Sequence, residues 1–431
     1  MAFEKGNGIN LKKYNTKKGI NIINVKTDKF KTASINLFIH NQLDRETVTQ
    51  NALIPMVLKR GSKDFPTMQE ISRKLENLYG SFFDCGVVKK GERQLQHFFI
   101  DGVNEKYLPG GEKLLDSCAK LLDNIVSKPF LDNNGFKCEY VQQEKDNLSK
   151  LIQSRKNDKV QYAVERCYEL MCTGERYGIH EWGKVEDLDS ITPEILSKRY
   201  HENISKAKID ILVLGDVGEK WISVLEDIIG VKTDNSSLVE KEEIKKDVSA
   251  IRTFVDEMDV NQGKLSMGFR TNTSLADSDY YDLLVYNSIL GGGVHSKLFQ
   301  NVREKNSLAY YVFSRMDKFK GTMMISSGVE STNFEKAKTI ILEQLDDIKA
   351  GKVTGEEYET SIKALENSLR NLADEPIQLV DFCLGQSIIG SDDSVEEILK
   401  KIRSVKLDDV LKISQKINLD TIHYIKPRGG R

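Results

Sequence analysis

Six histidines, at positions 40, 97, 180, 201, 295 and 423, are the side chains of this sequence best suited to hold a metal or move a proton. No two of them lie within one helical turn, and neither HExxH nor HxxEH occurs. Zinc catalysis takes about three protein ligands, with a His pair along one helix face as the usual core. His180-Glu181 and His201-Glu202 fall in loop-like stretches and read as surface polar groups. The three glycines of LGGGVHSK (290–297) lack the GK[ST] or GxGxxG that cradles a phosphate, and read as a helix C-terminus. VLGDVGEKW (213–221) reads as a strand and a turn. No GxSxG elbow is present, and no nucleophile–base pair supports an enzyme acting alone.

One pair of donors stands out. In NVREKNSLAYYVFS (301–314) a helix is expected to end near Asn306, with Arg303 in its last turn and Tyr310 at the start of a strand. On pattern alone, Arg303 serves the helix dipole and Tyr310 packs in a sheet.

The elements around these residues occur twice. INIINVKTDKFKTASINLFIHN (20–41) matches IRTFVDEMDVNQGKLSMGFRTN (251–272): a short strand, a polar break, then a strand alternating with period two, as half-buried strands do. An apolar helix follows in each, NALIPMVLKRG or YDLLVYNSILGGG, then a second helix, two strands and a long amphipathic helix. The fold class is α+β: two homologous domains, each a mostly antiparallel sheet with helices packed on one face. Residues 1–231 form the first domain, the polar segment 232–250 a linker, and 251–431 the second. A chain of 431 residues suits two domains.

With 30% charged and 39% hydrophobic residues the composition is globular, and a net charge of −2 offers no field for nucleic acid. The N-terminus has no signal-like apolar core, and no run of about 18 apolar residues suggests a membrane span. Six scattered cysteines without CxxC read as reduced, so the expected location is cytoplasmic. The tail YIKPRGGR reads as weakly ordered.

Two strings, KRGSKDFPTMQEISRKLENLYGSF and GGGVHSKLFQNVREKNSLAYYVFS, closely resemble the two halves of the insulinase/pitrilysin zinc metallopeptidases, and the repeat extends the likeness over nearly the whole chain. The likeness implies two halves of a clamshell. In that family an HxxEH helix precedes the turn that is Gly61-Ser62 here; counting back puts the two His positions on Ala52 and Met56 and the Glu position on Pro55. None can bind zinc or act as base. Pro55 should also make this helix start late or kink. The family's third ligand is a downstream Glu, for which Glu139 and Glu144 are both candidates.

The resemblance carries the Arg–Tyr pair over to Arg303 and Tyr310, which in catalytic relatives hold the substrate main chain and the developing oxyanion. It also implies peptide pairing along a strand at Ser81, Phe82 and Phe83. This profile is similar to that of the non-catalytic YmfF-like subgroup. The expected protein binds unstructured peptide, carries no cofactor of its own, and pairs with an HxxEH-bearing subunit that holds the zinc. A homodimer, or a non-proteolytic structural or peptide-binding protein, is the alternative.

Overall fold

The computed structural model describes residues 9–132 and 135–428. In chain order its elements are β1 (Asn10–Asn15), β2 (Ile20–Lys26), β3 (Thr32–Gln42), α1 (Val48–Leu58), α2 (Met68–Asn77), β4 (Phe82–Lys90), β5 (Arg93–Val103), α3 (Leu114–Ser127), β6 (Leu131–Asp132), β7 (Gly135–Phe136), α4 (Cys138–Ser154), α5 (Lys159–Met171), α6 (Pro193–Lys206), β8 (Lys208–Gly215) and α7 (Glu219–Ile228). There follow β9 (Arg252–Met258), β10 (Gly263–Arg270), α8 (Tyr280–Gly291), a π-helix (Phe299–Lys305), β11 (Ala309–Asp317), β12 (Thr322–Val329), α9 (Phe334–Lys349), α10 (Gly355–Leu372), α11 (Pro376–Ile389), α12 (Val395–Ser404), α13 (Leu407–Ser414) and β13 (Asn418–Pro427). Local chemistry sets many of the starts. Thr67 and Glu70 close a capping box on α2, Asp158 caps α5, and Thr192 caps α6 with Pro193 at its first position.

The chain divides into two units. Unit one takes the residues up to Gln153, then Glu181–Glu240 and Leu372–Asp392; unit two takes Ser154–His180, Lys241–Asn371 and the residues from Asp393 onward. Residues 154–180 and 372–392 thus lie across the division expected at 232–250. That segment itself carries no helix or strand.

In unit one six strands run in the order β1-β2-β8-β3-β5-β4, antiparallel except for β2 with β8. In unit two the order is β11-β12-β10-β13-β9, antiparallel except for β13 with β9. The two orders are one topology: β2, β8, β3, β5 and β4 correspond to β9, β13, β10, β12 and β11. The edge strands β4 and β11 are therefore equivalent.

The half-buried alternation expected of SINLFIHN and KLSMGFRTN is not what the strands show; β3 and β10 are buried on both faces. Helices α1, α3 and α6 cover one face of the first sheet, and α11 covers the other, setting Leu379, Val380, Cys383 and Leu384 against Ile23, Val25, Phe38 and Leu214. In unit two the second cover is α5, whose Cys167 Sγ lies 3.7 Å from the Ser266 carbonyl. Charged residues under these helices are buried beside partners of opposite sign or hydrogen-bonding groups. His40 Nε2 lies 3.1 Å from Asp210 Oδ2, and Ser387 of α11 donates to the same oxygen at 3.1 Å. At the matching place in unit two, Arg270 Nε donates to Asp420 at 2.9 Å and its Nη2 to the Met171 carbonyl at 3.0 Å.

Other expectations change locally. His201-Glu202 sits within α6 rather than a loop, and His180 is a nearly buried side chain 3.5 Å from Glu165. Of the tail read as weakly ordered, Tyr424–Pro427 ends strand β13, with Tyr424 and Ile425 paired on both sides and Lys426 and Pro427 paired with β9, while residues 429–431 lie outside the described residues, as do the first eight. No helix among the described residues is long and apolar enough to cross a membrane.

Burial sets a pH dependence. His97 stacks on Phe38 with ring centroids 4.2 Å apart, and burial pushes its pKa down to about 4. Burial likewise lowers His40 and His423. Unfolding returns these imidazoles to about 6.5, so below that pH the unfolded chain binds protons the folded chain refuses. The stability that these histidines contribute is fully present above about pH 6.5 and declines toward pH 4. The unfolding midpoint should fall over that window, and His97→Gln should flatten its lower part; a midpoint that does not move would contradict this.

Candidate functional site

Helix α1 is mostly apolar, and nine of its eleven residues are buried, which makes it a core helix. It starts at Val48 and runs through Pro55, so the late start expected of it does not occur. The reason lies in one hydrogen bond. Proline brings no N–H, which leaves the Asn51 carbonyl without its helical donor. Gln96 of β5 supplies the missing donor, its Nε2 lying 2.8 Å from that oxygen. Asn51 is held further by Gln94 at 2.9 Å, Arg199 Nε at 2.8 Å and Asn203 at 3.0 Å. The sequence reading missed this network; its one signal was polar Gln94 and Gln96 alternating toward the core face of a strand.

Ala52, Pro55 and Met56, the positions that the resemblance gives to the ligands and the base, all lie on α1. Ala52 and Pro55 are buried, and Met56 packs half-buried against the core. Glu139 and Glu144 separate clearly. Glu139 is exposed beside Lys137, 3.2 Å away. Glu144 is buried and ion-paired with Arg60, two residues past the end of α1, and accepts from Asn147 at 3.1 Å. Arg60 continues the helix face of Ala52 and Met56 at steps of four residues. A fixed guanidinium therefore neutralises the Glu144 carboxylate. An alanine, a proline and a lone thioether beside an arginine-bound carboxylate do not fit zinc, and among the described residues no three His, Cys, Asp or Glu side chains form a metal-binding group.

Arg303 and Tyr310 lie on neighbouring elements. The helix bearing Arg303 is a π-helix with Asn306 as its C-cap; such turns recur at functional sites. The Arg303 guanidinium lies over the Phe299 ring at 4.7 Å, and its side chain is 44% exposed. Ser307, at φ +51°, turns the chain into β11. The β11–β12 register then shifts between Ala309 and Tyr311, leaving Tyr310 as the bulged residue, 69% exposed. The packing expected of Tyr310 in a sheet is thus absent. Both donors face solvent.

The third expected region straddles a strand start. Ser81 is buried and its hydroxyl donates to the Leu78 carbonyl at 2.6 Å. Phe83 is in the core, whereas Phe82 is 58% exposed. β4 pairs with β5 alone, so its outer side is a free sheet edge.

The family described as "Peptidase M16 inactive domain" matches residues 190–365. "Probable inactive metalloprotease YmfF" of Bacillus subtilis is 36% identical over 94% of this chain and 95% of its own length. "Uncharacterized zinc protease YmxG" of the same organism is 22% identical over 90% of this chain and 96% of its own. A solved structure of a conserved protein from Enterococcus faecalis superposes with a TM-score of 0.89 and 26% identity, covering 98% of this chain and 99% of that one.

The proline repair can be tested by a double-mutant cycle. Gln96→Leu leaves the Asn51 carbonyl orphaned and should cost about 1–3 kcal/mol in denaturant unfolding. Pro55→Ala returns an N–H to that carbonyl, so the same Gln96 change should cost measurably less in the Pro55→Ala background. Equal costs in both backgrounds would show that Gln96 does not stand in for the proline.

Proposed function

This chain belongs to the M16 (insulinase/pitrilysin) metallopeptidase family as an inactive homologue, and from that premise we propose that it works as the zinc-free half of a split peptidase. A second M16 chain bearing HxxEH would hold the zinc and supply the base. This chain would bind unstructured peptide and contribute Arg303 and Tyr310 to the shared site. The observation that carries the reading is the state of those two side chains. A purely structural subunit has no need to hold an arginine and a tyrosine out in solvent on a π-helix and a bulged edge strand. Donors so placed can grip a peptide carbonyl and then the oxyanion that forms from it. A relative named a zinc protease matches 90% of this chain, which supports a partner of the same architecture. Six free cysteines suit a reducing, cytoplasmic setting.

A second reading, a non-proteolytic assembly or peptide-binding protein, draws support from a different observation. The outward amide of Cys85 on the β4 edge is already taken by the Asp84 carboxylate, at 2.9 Å. Self-association through two copies of one face would serve either reading.

The two readings part on mutation. Both side chains are exposed, so Arg303→Ala and Tyr310→Phe should leave folding and assembly intact. Each should lower peptide cleavage by the reconstituted pair about 100-fold, the usual loss for one oxyanion donor. Unchanged cleavage in both variants would remove the role assigned to them and leave the assembly reading.

A further inference from the structure

The free edge of β4 is not an open one. Side chains alternate along the strand: Phe83, Cys85 and Val87 pack on the core face, so Phe82, Asp84 and Gly86 point to the opposite face. Helix α1 lies on the core face, where Cys85 Sγ sits 3.1 Å from the Pro55 carbonyl. Lys59, the C-cap of α1, nevertheless reaches Asp84, with Nζ 2.7 Å from Oδ1. Strand β5 fills the inner side of β4, so the lysine side chain passes from one face to the other around the outer edge.

The same carboxylate oxygen accepts the Cys85 N–H at 2.9 Å. Amides of an edge strand alternate between the neighbouring strand and solvent. An N–H satisfied by a side chain at the edge is one that points outward, so Asp84 Oδ1 sits where the carbonyl of an added strand would sit. Burial alone would raise the Asp84 pKa, but Lys59 and the Cys85 amide outweigh it and hold the carboxyl below its usual range. The carboxylate therefore remains charged and in place at neutral pH. Charged side chains that occupy an exposed edge are a known defence against unwanted strand pairing. This one lies directly after Ser81, Phe82 and Phe83.

We propose that Asp84 and Lys59 form a displaceable plug on the β4 edge, so that an extended segment of an unstructured peptide adds there only by removing the carboxylate from the Cys85 amide. The inference rests on the reading of β4 as the peptide-pairing strand. Displacement by a peptide main chain exchanges one acceptor for another and frees Asp84 and Lys59 to water. Both side chains are partly exposed, so salt weakens their attraction and eases the exchange.

The test uses the full chain and a short fluorescein-labelled peptide rich in Val and Thr, followed by anisotropy. Asp84→Ala removes the plug, and Lys59→Met removes its tether while keeping an apolar stem. Both should bind the peptide about five- to tenfold more tightly than the wild type. Wild-type affinity should rise as NaCl goes from about 50 to about 500 mM, and Asp84→Ala affinity should not. In Asp84→Ala the Cys85 amide should also exchange its hydrogen faster. Variants that bind as well as, or less well than, the wild type would overturn the plug and leave peptide pairing standing. Absence of binding in every protein, with the plug removed, would overturn the pairing reading and the plug with it.

Discussion

The orphaned carbonyl of Asn51 is the constraint on which the first unit turns. A proline seven residues into a buried helix ought to break it, because a main-chain oxygen is left in the core with no donor. Gln96 answers that oxygen from the neighbouring sheet, and Asn51 gathers Gln94, Arg199 and Asn203 around its own amide. Helix α1 is thereby fixed to β5 and α6 by polar contacts as well as by apolar burial. Its far end then does two further things. Arg60 meets Glu144 on α4, and Lys59 meets Asp84 on the sheet edge.

The sequence made the donor count legible. Ala52, Pro55 and Met56 cannot be mistaken for ligands, and the strings around them carried the family. The repeat was legible too, and the equivalence of β4 and β11 shows how deep it runs. What could not be read was any partner far away in sequence. The damage done by Pro55 was plain, but its repair comes from a residue 41 positions later. The second face of β3 was read as solvent-facing because its cover, α11, lies more than 330 residues further on. Glu139 and Glu144 were indistinguishable until Arg60 was seen to hold only one of them. The bulge that exposes Tyr310 is a register shift, which no local pattern announces.

The edge strands β4 and β11 differ in what they expose. At the start of β11 Tyr310 is exposed, beside Arg303 on the preceding π-helix, and on β4 an amide is occupied by the chain's own carboxylate. Neither requires a metal on this chain. Together they suit a subunit that positions peptide for a reaction whose zinc and base lie elsewhere.

The most direct test of that division of labour is purification of the protein from its own cells, with metal content and peptide cleavage measured on the eluted species. The account predicts a one-to-one complex with an HxxEH-bearing M16 chain, one zinc per pair, and cleavage of unstructured peptides. A chain that elutes alone or as its own dimer with one tightly bound zinc, and cleaves without a partner, would contradict it.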